Sequence, residues 1–195
     1  MSKSDPNHSN KERKKNIRWV ITIFLVTIFT TGVITLVSDE LMSTSGIATS
    51  FAILLVIVLV GIIFDVIGVA VTSADEAPFH SMAARKVPGA SEAIRLLRNA
   101  ERVSSICNDV VGDICGVVSG SAAATIAAQF LVRFEFSWPR MAGLLMSAFV
   151  SGLTVGGKAI GKTFAVNSST KIVHLVGKTI DGLRRFSRQK QNSGK

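Results

Sequence analysis

"FDVIGVAVTSADEAPFHSMAARKVPGA" fills residues 64–90, and its reading decides the fold. The first half prolongs a run that is charge-free from residue 46 to 64, admits Asp65, and ends in Ser73, Asp75 and Glu76. The second half is polar and is broken at Pro88-Gly89, a strong turn signal. Together they read as a helix that crosses lipid and emerges into a short helical loop. The expected helix runs from 46 to about 72, with a segment of two short helices at 73–103 and Ser91 available to cap the second.

The rest of the 195-residue chain fits that reading. Its apolar residues, 48% of the total, come in long unbroken blocks rather than at helical or strand periods. Crossing about 30 Å of hydrocarbon takes roughly 20 helical residues. Besides 46–64, blocks at 19–37, 114–132 and 141–157 meet or approach this length, and the third helix is expected to begin near Ser104. The block at 19–37 is longer than a cleaved signal's apolar core and has no clean cleavage site, so it reads as a retained helix. The predicted fold class is all-α, a polytopic membrane protein of about four spans.

Lysine and arginine give the orientation. Six precede Trp19 and five lie between Ser73 and Val103, whereas the loop after the first span has none and the third connection has only Arg133 and Arg140. The positive-inside rule then puts both termini and the 73–103 belt in the cytoplasm of a cell-membrane protein. The net charge of +9 is in the main this topology signal, and no nucleic-acid partner is expected. Residues 1–18 form a basic cytoplasmic tail and 188–195 a polar disordered one. Between them, 166–187 reads as a basic amphipathic helix. Ile172, Leu175, Val176, Ile180 and Leu183 lie on one side, with Lys171, Lys178, Arg184 and Arg185 for the polar face and flank. It suits either the anionic inner leaflet or the cytoplasmic side of the bundle.

Catalytic signatures are missing from the sequence. Cys107 and Cys115 are about 12 Å apart along one helix and do not pair. The three histidines are scattered, and Walker, nucleophile-elbow and dinucleotide motifs are absent. No enzyme is expected. Small residues instead form two ridges, Gly112-Gly116-Gly120-Ala124-Ala128 and Ala148-Gly152-Gly156. The first use of such ridges is close helix packing, and the alternative is to bring backbone carbonyls around an ion.

Ionisable groups at membrane depth are costly unless they face water, a partner or an ion, so Asp65, Asp109 and Asp113 are site candidates. Ser73, Asp75 and Glu76 sit at the mouth of the same bundle, where cap and helix-end roles are the plain alternative. Hard divalent cations such as magnesium take oxygen ligands, and Ser73, Glu76, Asn108, Asp109 and Asp113 supply such a set.

These features resemble the transmembrane domain of the CNNM/CorB magnesium transporters. Ser73-Ala74-Asp75-Glu76-Ala77 is similar to that family's Ser-x-Ser-Glu-Thr-Ala motif, and Cys107-Asn108-Asp109-Val110-Val111-Gly112 to its Gly-Asn-Asn-x-x-Asn motif. Its Gly-Glu-x-x-Pro-Lys-x-x-Ala motif resembles Gly157-Lys158-Ala159-Ile160-Gly161-Lys162-Thr163-Phe164-Ala165, with lysine for the acid and glycine for the proline. The resemblance runs over about 48–183, with 46–165 as the transmembrane domain, and makes the first span an addition. It implies a divergent, stand-alone member without the regulatory CBS pair, a homodimer, and a Mg2+ site held by Ser73, Glu76, Asn108 and the Gly157 backbone. Lys158 leaves two readings: a transporter-like protein for magnesium or a related divalent cation, or a non-transporting partner or regulator in which this ammonium replaces the cation.

Overall fold

The computed structural model describes residues 6–134 and 139–192 and contains helices but no strand among them. In order these are α1 (Pro6–Ser43), α2 (Ile47–Ser73), α3 (Ala77–Ala84), α4 (Ala90–Arg98) and α5 (Ala100–Ser105). A π-helical turn (Ile106–Val111) leads without a break into α6 (Gly112–Phe134), followed by α7 (Pro139–Asn167) and α8 (Ser169–Asn192). The protein is an all-α polytopic chain. Four stretches are long and apolar enough to cross a membrane: Trp19–Ser43, Ile47–Ser73, Ala100–Arg133 and Gly143–Asn167.

α2 is the axis of the bundle. It packs on both α6 and α7, which also meet each other, and α1 leans on α6 from outside. Near one end, Leu54 and Val58 of α2 are buried with Met42, Ala122, Ala123, Ile126 and Val150. The Gln129 amide closes this end by donating to the Met42 carbonyl at 2.6 Å, while its Oε1 accepts from Ser50 at 3.2 Å. At the other end Ala70, Val71, Phe79, Ala93, Ala165 and Val173 form a second core that fastens α3, α4 and α8 to the ends of α2 and α7. Because water is excluded from it on the belt side, this cluster makes α3, α4 and α8 one body with the bundle.

Several boundaries differ from expectation. The basic tail is helical from Pro6 onward, and the polar C-terminal tail is helical to Asn192. In each case an established helix, the apolar part of α1 or the amphipathic part of α8, supplies the nucleus, so each added residue costs only propagation, and Lys, Arg and Gln are good helix formers. Residues 1–5, 135–138 and 193–195 lie outside the described residues. Ser91 does not cap α4. Gly89 takes that place with φ +84°, and a Cβ there would stand 2.5 Å from the Lys178 backbone nitrogen.

The glycine ridges are not what joins α6 to its neighbours. Gly112 is buried, but Gly116, Gly120, Ala124 and Ala128 are not enclosed by neighbouring helices, and Ala148, Gly152 and Gly156 of α7 are exposed. A four-residue repeat drifts about 40° per step on a 3.6-residue helix, so a ridge that starts inside turns outward. α6 packs instead through Val118, Ser119, Ala122, Ala123, Ile126 and Ala127. The glycines that do allow close approach are Gly61 and Gly68 on α2 and Gly157 and Gly161 on α7.

Candidate functional site

Asp65 is the one charged residue fully buried among the described residues, with 4% of its surface exposed. It stands on the α2 face that meets α6. Four residues before it, a Cβ on Gly61 would come within 2.9 Å of Cys115 Cβ; three residues after it, Gly68 lies directly under the Asn108 amide. Residues three and four apart share a helix face. Asp65 therefore faces the α6 seam between the levels of Asn108 and Cys115, which is the level of Gly112.

Two lysines of α7 reach this seam. Lys162 Nζ lies 3.8 Å from Asp65 Oδ2, an ion pair with a buried acid and a half-exposed base. Lys158, one turn away, points its Nζ to within 3.3 Å of where a Cβ on Gly112 would stand. α7 can come this close because Gly157 and Gly161 meet Ile62 and Val66 of α2 with backbone rather than side chain. Lys158 forms no ion pair among the described residues. Two oxygens in the seam are buried without a hydrogen-bond partner, Asp65 Oδ2 and Asn108 Oδ1, and the Asn108 amide nitrogen donates to Ser104 Oγ at 3.1 Å.

The π-helical turn lies on this seam. Cys107 within it is buried and Asn108 half-buried, whereas Asp109 and Asp113, four residues apart on one helix face, are exposed. Neither of these two aspartates takes part in the seam.

The residues at the α2 end serve the belt. Ser73 is exposed as the last residue of α2. Asp75 accepts from the Ala77 backbone N–H at 3.3 Å and so satisfies a free amide at the start of α3. Glu76 is the N-cap residue of α3 and pairs with His80 at 3.4 Å and Arg98 at 3.3 Å.

The four residues assigned to magnesium thus lie at different depths. Gly157 is level with Ile62, Asn108 with Gly68, and Ser73 ends the helix, which spreads them over about 16 Å of α2. Magnesium demands a near-ideal octahedron at about 2.0–2.1 Å, and these residues do not fit one such shell in this arrangement. Among the described residues no group of three or more His, Cys, Asp or Glu side chains converges.

No protein-family model, curated protein or solved structure matches this chain. Its chemistry is read from the seam alone. Sequence reasoning singled out Asp65 and Lys158 but missed Lys162. The signal was present: Lys158 and Lys162 are four apart on a helix whose glycines at 157 and 161 mark the same face, opposite the single acid in the apolar run of α2.

Proposed function

We propose that this is a non-transporting membrane protein of transporter-like architecture, a helical partner or regulator, in which lysine ammonium groups take the place of a bound cation. The observation that carries this reading is the Asp65–Lys162 pair at 3.8 Å, with Lys158 reaching the same level. One buried carboxylate faces two ammonium groups. A divalent ion within about 4 Å of either ammonium would be repelled by several kcal/mol in a partly buried site. The exposed small residues of α6 and α7, of which Gly116, Gly120 and Ser151 line a cleft between the two helices, support a role in helix association, with a second copy of the chain as the partner expected from the CNNM/CorB resemblance.

The transporter-like reading, for magnesium or a related divalent cation, keeps one observation in its favour. Asp65 Oδ2 and Asn108 Oδ1 are buried on one seam without hydrogen bonds, and each is an oxygen of the kind that a hard cation or an ordered water takes as partner.

Thermal unfolding of the purified protein in rising magnesium separates the two, since an ion that binds the folded state raises its midpoint by mass action. The regulator reading expects no magnesium-specific shift relative to calcium or sodium, and a Lys158→Met/Lys162→Met variant to gain one. A saturable magnesium-specific shift in the unaltered protein would overturn the regulator reading and favour a divalent-cation site.

A further inference from the structure

The belt covers only part of the apolar surface of α8. Val173 and Gly177 are buried, Val173 in the belt core and Gly177 against Gly89 and Ala93 of α4. His174 Nε2 contacts the Pro88 carbonyl at 3.2 Å, and Arg184 pairs with Glu92 at 2.5 Å. Leu175, Leu183 and Phe186, by contrast, are 62%, 72% and 73% exposed. On a helical projection Leu175 and Phe186 lie within about 20° of each other, and Val173 and Gly177 lie nearly opposite. Leu183 flanks this outward arc on one side, and Lys171, Lys178 and Arg185 flank it on the other, all exposed. Lys171 and Lys178 form no ion pair among the described residues, and the Arg185 partner, Asp181, lies off the arc.

We propose that this outward arc of α8 docks on anionic phospholipid headgroups of the leaflet on the belt side, with Leu175, Leu183 and Phe186 entering the boundary and Lys171, Lys178 and Arg185 on the phosphates. Two features select that occupant. The arc bears three cations and no acid, which complements a negative lipid surface and not the basic belt of a second copy. It is also held at that surface, because a single residue, Ser168, separates α8 from α7, a candidate membrane span. Tethering makes the contact intramolecular, so a few weak contacts suffice. The opposite face stays on α4 through Gly177, so docking does not require α8 to leave the belt.

The test places a nitroxide on the outward arc at Thr179→Cys in the full-length chain. The background is Cys107→Ala/Cys115→Ala with an unchanged thermal midpoint. The protein is held in nanodiscs of pure phosphatidylcholine or with about one third phosphatidylglycerol. The expected result is a rise in accessibility to lipid-soluble oxygen over a water-soluble nickel chelate only in the anionic discs. High salt should reverse it. Glutamine at Lys171, Lys178 and Arg185 should lower the lipid-associated equilibrium about fivefold per residue. Equal aqueous accessibility in both discs overturns the proposal. So does shielding from both reagents in both discs, which would show a second copy or another protein on the arc. If the cysteine-free background unfolds, hydrogen exchange of residues 170–186 in the unaltered protein decides by the same comparison. Slower exchange in anionic discs supports docking, and identical exchange overturns it.

Discussion

Lys162 Nζ stands 3.8 Å from Asp65 Oδ2, joining the only buried acid of α2 to the last turns of α7. The pair is asymmetric. Asp65 is enclosed, while the lysine side chain is 55% exposed and can hold its ammonium in water.

That asymmetry orders the mutants. Lys162→Met leaves a buried carboxylate without its cation, and the cost should be about 1–3 kcal/mol, below the full value for a buried pair because one partner is wet. Asp65→Asn should cost less, and Asp65→Asn with Lys162→Met should recover much of the loss. Denaturant unfolding in detergent measures all three. Equal costs for the two single variants would contradict the burial asymmetry.

Gly68 and Gly120 make opposite forecasts from one substitution. A Cβ on Gly68 collides with the Asn108 amide, so Gly68→Ala should destabilise by about 1–3 kcal/mol. Nothing lies within 4 Å of a Cβ on Gly120, and alanine there should be neutral or gain up to about 1 kcal/mol in helix propensity. If the outward ridge holds a second copy, Gly120→Leu should abolish crosslinking between copies while leaving the thermal midpoint of the protomer in place.

Glu76→Gln removes an ion pair to Arg98 and alters a contact with the His80 ring at the surface of the belt. Exposed pairs contribute about 0–1 kcal/mol, so the thermal midpoint should move little, with or without magnesium. A large shift that appears only in magnesium would instead assign Glu76 to a metal site.

At the α4–α8 contact, Gly89→Ala combines a left-handed backbone with a collision against Lys178, and Gly177→Ala meets the Gly89 carbonyl at 2.5 Å. Both should loosen α8 before the bundle. Limited proteolysis should then cut between α7 and α8 in the variants and spare the parent protein, while the four long helices keep their far-ultraviolet signal.

Topology is tested by single cysteines near Asp39 and near Ser91. The positive-inside rule expects an impermeant reagent added to intact cells to label the first and not the second. The reverse pattern would invert every orientation drawn from the lysine and arginine distribution.

The amino-acid sequence by itself determined that this chain is a set of long helices, because hydrophobic length is a local property and lipid leaves the backbone few other ways to satisfy its amides. The break at Pro88-Gly89 was equally local. That Asp65 is the single acid within the apolar run of α2 was legible too. What only the tertiary structure decided is which faces meet. Asn108 is turned toward Gly68 while Asp109 and Asp113 lie outside, and composition does not reveal which of these faces meets α2. The regular Gly112–Ala128 ridge drifts out of contact, while isolated Gly61, Gly68, Gly157 and Gly161 carry the close approaches. That a lysine on α7 rather than a residue at the mouth partners Asp65 depends on the axial offset of two helices far apart in the chain. Such an offset is set by the packing of Ile62 and Val66 against glycine, a non-local sum of small contacts that no single stretch of sequence encodes.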